Sequence, residues 1–455
     1  MTMVAHRSSL VSLVLCLALC VGLGACGGGG STSTPTPTPE TTPTPETPPT
    51  PETPPQAAVD PTALPADLPR GLLIAYSQFQ TVDGQVTATP GAARLEMLYR
   101  RGGEWRTEVI EDAGSNVFHK AMYFEPAHGA PGILTISGSA AAVKLWRRGA
   151  SGWTAETLWQ EDFGGRFSRM RDAEVANLWG DGPAIAVGTH DQGVFATIRQ
   201  GEGGAFTVTQ HDRTPNTFIH EIEIGDLDGN GALEVYATPS EPNDLDGGEQ
   251  HGEVVRYVPR DGGQRTVVAD LGNRHAKEIW VGDVDGDGRD ELYVAVEALT
   301  SGSGDALQIV EPVEIRRYDA DTAPNARVVI ATLQDRLTRF LTVGDVDGDG
   351  RREMVAAGFR SGLWLLRPGR DPRGEWSVES IDRDSSGFEH TSVLTDLDGD
   401  GRDELYVASD DQGELRRYVF VNGRPRRETI HRREVARSMM TWNLTSFPVS
   451  LLGTP

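Results

Sequence analysis

Four short stretches place oxygen-bearing side chains at alternate positions with the same spacing. They are Asp226, Asp228, Asn230, Ala232 and Glu234; Asp283, Asp285, Asp287, Arg289 and Glu291; Asp345, Asp347, Asp349, Arg351 and Glu353; and Asp396, Asp398, Asp400, Arg402 and Glu404. Glycines stand at the fourth and sixth positions of every stretch. In a tight loop the side chains at positions one, three and five converge on one point. Position seven (Ala232, Arg289, Arg351 or Arg402) then offers a backbone carbonyl, and the glutamate at position nine closes the shell. A hard cation taking six to eight oxygens, calcium above all, suits such a set. Without a cation, carboxylates crowded into one turn repel each other. The expectation is about four calcium ions.

An EF-hand loop starts in a similar way but needs a bidentate glutamate at position twelve and a helix on each side. Here position twelve is Ala237, Val294, Ala356 or Val407, and the residues around it are β-formers such as Leu405-Tyr406-Val407-Ala408. The four stretches are therefore read as loops between β-strands.

The elements that position them recur at about fifty residues. Each unit carries a hairpin of an apolar-basic strand, a polar turn and a second strand, first at Met97–Arg100 with Trp105–Ile110, then at Lys144–Arg147 with Trp153–Leu158. Five further copies centre on Ile198, Tyr257, Tyr318, Leu365 and Tyr418. Two more strand-like runs separate successive hairpins, which makes four short strands per unit, the content of a propeller blade. Seven hairpins predict an all-β, seven-bladed β-propeller of four-stranded antiparallel blades over residues 70–445, although repeat boundaries alone also admit six or eight. The first unit lacks an inner strand, and Ser438–Leu444 follows the last hairpin unpaired. If that strand completes the first blade, the ring is clasped and no sheet edge is left open.

The repeated acidic loop in this β context resembles the FG-GAP or VCBS repeat family, and the resemblance covers about Arg70 to Leu444. It implies a seven-bladed propeller whose calcium cages lie on one face and are chiefly structural. The chain departs from the family pattern in largely lacking its Phe-Gly and Gly-Ala-Pro signatures. Two units have also lost the acidic loop, at Asn177–Pro183 and around Glu125–Gly132, and these are expected to be metal-free.

Six residues before the first acidic position, each complete unit has a basic or imidazole side chain: His119, Arg171, His220, Lys277, Arg339 and His390. The repeat register puts them at the start of the inner strands, around the channel mouth opposite the acidic loops. Such a ring can receive an anion, a uronate or sulfate for example, through charge-assisted hydrogen bonds, or a transition metal through its imidazoles. Duplication of one ancestral unit would leave the same column with no ligand involved. His128, His190, His211, His251 and His431 show no metal-binding spacing and are read as surface residues. No nucleophile elbow, phosphate-binding glycine loop or catalytic triad stands out.

The amino terminus carries His6 and Arg7 ahead of an apolar run, Leu10–Leu23, too short for a stable membrane span. Residues 1–25 are read as a signal peptide. The sequence Leu23-Gly24-Ala25-Cys26 resembles a bacterial lipobox, with Cys26 as the lipidation site. Cys16 and Cys20 leave with the signal, so no intramolecular disulfide can form. Residues 26–58, glycine-rich and then a Thr-Pro-Glu repeat, cannot bury a core and are read as an extended linker. Residues 446–455 are taken as a tail.

The formal charge of −24 argues against nucleic acid as a partner. Gly27 rather than Asp after the cysteine favours the outer membrane, by resemblance to the enterobacterial sorting rule. The functional expectation is an envelope lipoprotein, anchored to the membrane by its lipid alone, whose propeller recognises a carbohydrate polymer or a protein in an adhesion or scaffolding role. The alternatives are a polysaccharide-active enzyme, such as a lyase, using the basic ring, and a structural subunit of an envelope complex.

Overall fold

A computed structural model describes residues 62–164, 167–239, 250–302, 306–435 and 438–453. The signal peptide, Cys26 and the linker lie outside the described residues.

Seven four-stranded antiparallel sheets follow one another along the chain. Blade 1 is built from Arg70–Val82, Ala93–Arg101 and Glu104–Asp112, with Met439–Pro448 paired to the first of these as the inner strand. Blades 2 to 6 have inner strands Phe118–Phe124, Met170–Ala176, Ile219–Gly225, Ala276–Gly282 and Thr338–Gly344, each of seven residues. The inner strand of blade 7, Ser392–Thr395, has four. In every blade from 2 to 7 the second strand is wholly buried, because it lies between two other strands and under both neighbouring blades. These strands read as continuous apolar runs such as Ala184–Thr189 and Glu291–Val296. The outermost strands, such as Glu104–Asp112 and Gly152–Gln160, alternate or are largely exposed.

The core is not one mass but seven apolar clusters, each between two adjacent blades. Blades 2 and 3 share Leu134, Val143, Ile185 and Ile198; blades 5 and 6 share Tyr293, Ile315, Met354 and Trp376. Blades 7 and 1 meet through Leu397, Tyr406, Leu415, Leu72, Ile74 and Leu444, and this seventh interface closes the ring. Each fully buried aliphatic or aromatic side chain contributes about 1.5–3 kcal/mol relative to exposure.

The clasp pairs Arg70 with Pro448, Leu73 with Thr445 and Gln78 with Met439, with a bulge between Ala75 and Tyr76. Its strand runs three residues past the expected boundary at 445. Phe447, Val449 and Leu452 are buried, so the first part of the presumed tail belongs to the core.

Candidate functional site

The acidic loops all connect an inner strand to the second strand, at one end of blades 4, 5, 6 and 7. Their local fold follows from the sequence. The first aspartate turns back on its own loop, so that Asp283 accepts hydrogen bonds from the backbone of Gly286 (2.7 Å) and Gly288 (2.9 Å). Asp345 does the same with Gly348 and Gly350, both at 2.7 Å, and Asp396 with Gly399 (2.6 Å) and Gly401 (2.9 Å). The paired glycines adopt positive φ in each loop, +78° and +88° at Gly286 and Gly288, where a side chain would be strained.

In blade 5, one oxygen each from Asp283, Asp285, Asp287 and Glu291 lie within 4.8 Å of one another; in blade 7 Asp396, Asp398 and Asp400 do the same. Hard carboxylate oxygens gathered this closely fit a calcium ion. In blade 6, Asp345 and Asp349 keep the loop's backbone bonds, and Asp347 pairs with Arg367 at 3.0 Å. In blade 4, Asp226, Asp228 and Asn230 likewise hold the turn, with one carboxylate fewer. Ala232, Arg289, Arg351 and Arg402, the residues at position seven, have backbone N–H groups that donate to the side chain at position five.

The glutamates at position nine are buried and already paired. Glu234 accepts from Arg256 at 2.8 Å and from the Tyr236 hydroxyl; Glu291 from Arg317 (3.2 Å) and Tyr293 (3.1 Å); Glu404 from Arg417 (2.8 Å) and Tyr406 (3.2 Å). Glu353 takes the Val346 backbone N–H at 3.2 Å, with Arg367 at 3.6 Å. Burial pushes Glu291 up to about 8 and Glu353 up to about 7, against the pull of these guanidiniums. Sequence reasoning missed this arginine column. Arg256, Arg317 and Arg417 sit directly opposite Tyr236, Tyr293 and Tyr406 across the sheet. Blade 6 has Val355 opposite Leu365 there, and its guanidinium comes from two residues further on. The available signal was a tyrosine two residues after three of the four loop glutamates, matched by an Arg-Tyr pair in the third strand of those blades.

The degenerate loop of blade 3 keeps the turn with Asn177, whose side chain accepts from Gly182 at 3.0 Å. Its one carboxylate, Asp181, is taken by Arg199 at 2.6 Å.

At the opposite end, the basic column does not form an open ring. Arg171, His220 and Arg339 converge: the His220 Nε2 lies 2.8 Å from Arg171 and 3.3 Å from Arg339. Burial, and then the two arginines, hold the His220 imidazole well below its ordinary pKa, so it is neutral. His119 stacks flat on Trp442, ring centres 4.6 Å apart, and Lys277 lies 3.6 Å from Glu297. His390 leaves the column: its ring binds Ser385 (2.7 Å) and the Gly358 carbonyl (2.6 Å), because the short inner strand of blade 7 begins only after it. The anion expected at this mouth is supplied by the chain itself. Glu389 bonds both Nε (3.2 Å) and Nη2 of Arg339 and lies 4.0 Å from Arg171. Of the histidines read as surface residues, His190 is stacked on Phe218 at 3.6 Å and bonded to Asp191.

Between the two ends the channel is lined with buried acid. Lys120 bridges Asp172 (3.0 Å) and Glu174, while Glu278 accepts the Leu341 N–H at 2.7 Å. Burial raises Glu221, Glu223 and Glu278 well above the usual carboxylate range. The loop-side end opens into a cavity of about 410 Å³ lined by Arg70, Tyr123, Glu174, Thr395 and Thr445 among others.

The FG-GAP-like repeat family model matches residues 345–407, which span the acidic loop of blade 6 and that of blade 7. No curated protein sequence matches the chain. Among solved structures, a protein from Lactobacillus plantarum is 11% identical, with a TM-score of 0.52 over 84% of this chain and 99% of its own. A candidate 6-phosphogluconolactonase from Bacteroides fragilis is 12% identical, with a TM-score of 0.46 over 85% of this chain and 100% of its own. At these identities the likeness concerns the fold alone.

Proposed function

The chain is a seven-bladed propeller of the FG-GAP/VCBS repeat type, and from that premise we propose that it is a calcium-stabilised ligand-binding or scaffold module of the bacterial envelope. The observation that carries the reading is the convergence of Asp283, Asp285, Asp287 and Glu291 within 4.8 Å. Those residues, and Asp396, Asp398 and Asp400 in blade 7, would hold calcium; the loops of blades 4 and 6 would bind it more weakly. Bound cations neutralise the loop carboxylates and pin each inner strand to its neighbour. The ligand is a carbohydrate polymer or a protein, and Cys26 would carry the membrane anchor. The lyase alternative receives no support from the mouth, where the cationic groups are buried and engaged with Glu389.

Thermal melting in one millimolar calcium against excess EDTA, with magnesium as control, tests the proposal. A higher melting temperature in calcium alone is expected. An unchanged melting temperature rejects a stabilising role for the loops. The anchor has its own assay: Cys26→Ala is expected to move the protein out of the membrane fraction.

A further inference from the structure

The first three residues of a full-length inner strand are missing from blade 7, and Glu389 is where that strand would start. The segment Gly387-Phe388-Glu389 instead turns into the channel mouth. Glu389 is 1% exposed, and its Oε2 is addressed by guanidiniums from blades 3 and 6, Arg171 and Arg339. Phe388 remains 50% exposed, edge-on to Trp442 with ring centres 6.3 Å apart and with Arg339 at 5.5 Å from its face. The mouth is thus a built receptor for a carboxylate beside an aromatic ring, and its present occupant is polypeptide.

Three features of the mouth bear on exchange of that occupant. His390, next to Glu389, sits at φ +53°, a conformation that non-glycine residues adopt at a cost. The segment is anchored through Ser386 to Asp411, His390 to Ser385 and the Gly358 carbonyl, and Thr391 to Thr441, and Phe388 and Glu389 are the stretch between these anchors. His119, 1% exposed and stacked on Trp442, completes no hydrogen bond with either ring nitrogen, and burial, followed by the nearby Arg171 and Arg169, holds its imidazole well below the ordinary pKa. A buried imidazole without partners is unused recognition capacity.

We infer that the channel mouth is a docking site for an acidic peptide segment of a partner protein, whose aromatic and carboxylate side chains displace Phe388 and Glu389. The inference rests on the reading of the propeller as a ligand-binding module. The tethered occupant competes at the high effective concentration of an intramolecular group, so trans peptide binds the native chain weakly. Removing the internal carboxylate removes that competition while leaving two cations in need of an anion.

The test is calorimetric titration of acetyl-Gly-Phe-Glu-Thr-amide, with its Gln counterpart as control, into the native protein and Glu389→Gln in calcium. At least tenfold tighter binding of the Glu peptide by the variant is expected, with no binding of the Gln peptide. Should Glu389→Gln fail to fold, Phe388→Ala, at an exposed position, is expected to tighten binding in the same direction by a smaller factor. Absence of binding to every form, or equal binding of both peptides, overturns the inference. Binding of polygalacturonate but not peptide overturns it as well. A protein that melts higher in calcium yet ignores the peptide sinks this docking site alone, whereas one indifferent to calcium sinks the broader reading.

Discussion

Carboxylates are concentrated twice in this molecule, and the two regions neutralise them differently. In the loops of blades 5 and 7 the aspartates are half-buried or exposed, held by glycine turns with their oxygens turned toward one another. In the channel Asp172 and Glu278 are buried, Glu174, Glu221 and Glu223 are half-buried, and the chain provides Lys120 as a cation among them. The first set converges on a point that a diffusible ion can occupy, whereas the second is balanced by a cation of the chain itself. The arginine column lies between these extremes: Arg256, Arg317 and Arg367 each reach both a loop aspartate and the loop glutamate, while Arg417 joins Glu404 to Glu428. Convergence of several carboxylates on one point therefore marks the acidic clusters left for a metal.

The comparison breaks most visibly under chelation. At free calcium a hundred times the dissociation constant, each site adds about 2.7 kcal/mol, so EDTA is expected to lower the melting temperature more than any single substitution. Lys120→Met, which strands buried carboxylates, is expected to cost about 3–5 kcal/mol in denaturant unfolding, with or without calcium. An effect that disappears in EDTA would contradict the separation of the two regions. Asp283→Asn is expected to remove about 2–3 kcal/mol in calcium and little in EDTA, while Asp226→Asn, in the loop with fewer carboxylates, costs less. Equal losses at the two positions would show that the convergence in blade 5 confers no advantage.

The smallest effect concerns pH. Glu221, Glu223 and Glu278 have folded-state pKa values raised by burial, so the native chain holds protons that the unfolded chain releases. Their contribution to stability falls as pH rises from about 4.5 through the raised folded values. Glu278→Gln keeps an oxygen for the Leu341 N–H and removes the titration. Denaturant melts in saturating calcium are expected to show the variant about 1 kcal/mol more stable than the native chain at pH 8, and no more stable at pH 4. A parallel pH profile for the two proteins would mean that Glu278 is ionised in both states.

The repeat was legible because each blade rewrites the same local pattern: an apolar inner strand, a glycine turn, a buried strand and a hairpin. Local pattern also marked the missing inner strand and its replacement from the carboxyl end. It could not mark Arg317 or Arg417 as partners of the loops, because strand pairing, not chain proximity, brings them to Glu291 and Glu404. Nor could it reveal that Lys120 serves carboxylates some fifty residues away in the next blade.

The sequence by itself determined the four-stranded repeat and the positions of the acidic turns and pointed to seven blades and a clasp, since these follow from spacing and from residues adjacent in the chain; the closed ring itself decided the count and the clasp. Only the tertiary structure decided which side chains meet inside the ring. Closing seven blades brings residues as far apart as His220 and Arg339 to within 3.3 Å, and the late start of one strand turns Glu389 inward and His390 away. Those outcomes depend on where the channel space and the unpaired charges fall, which no single repeat contains.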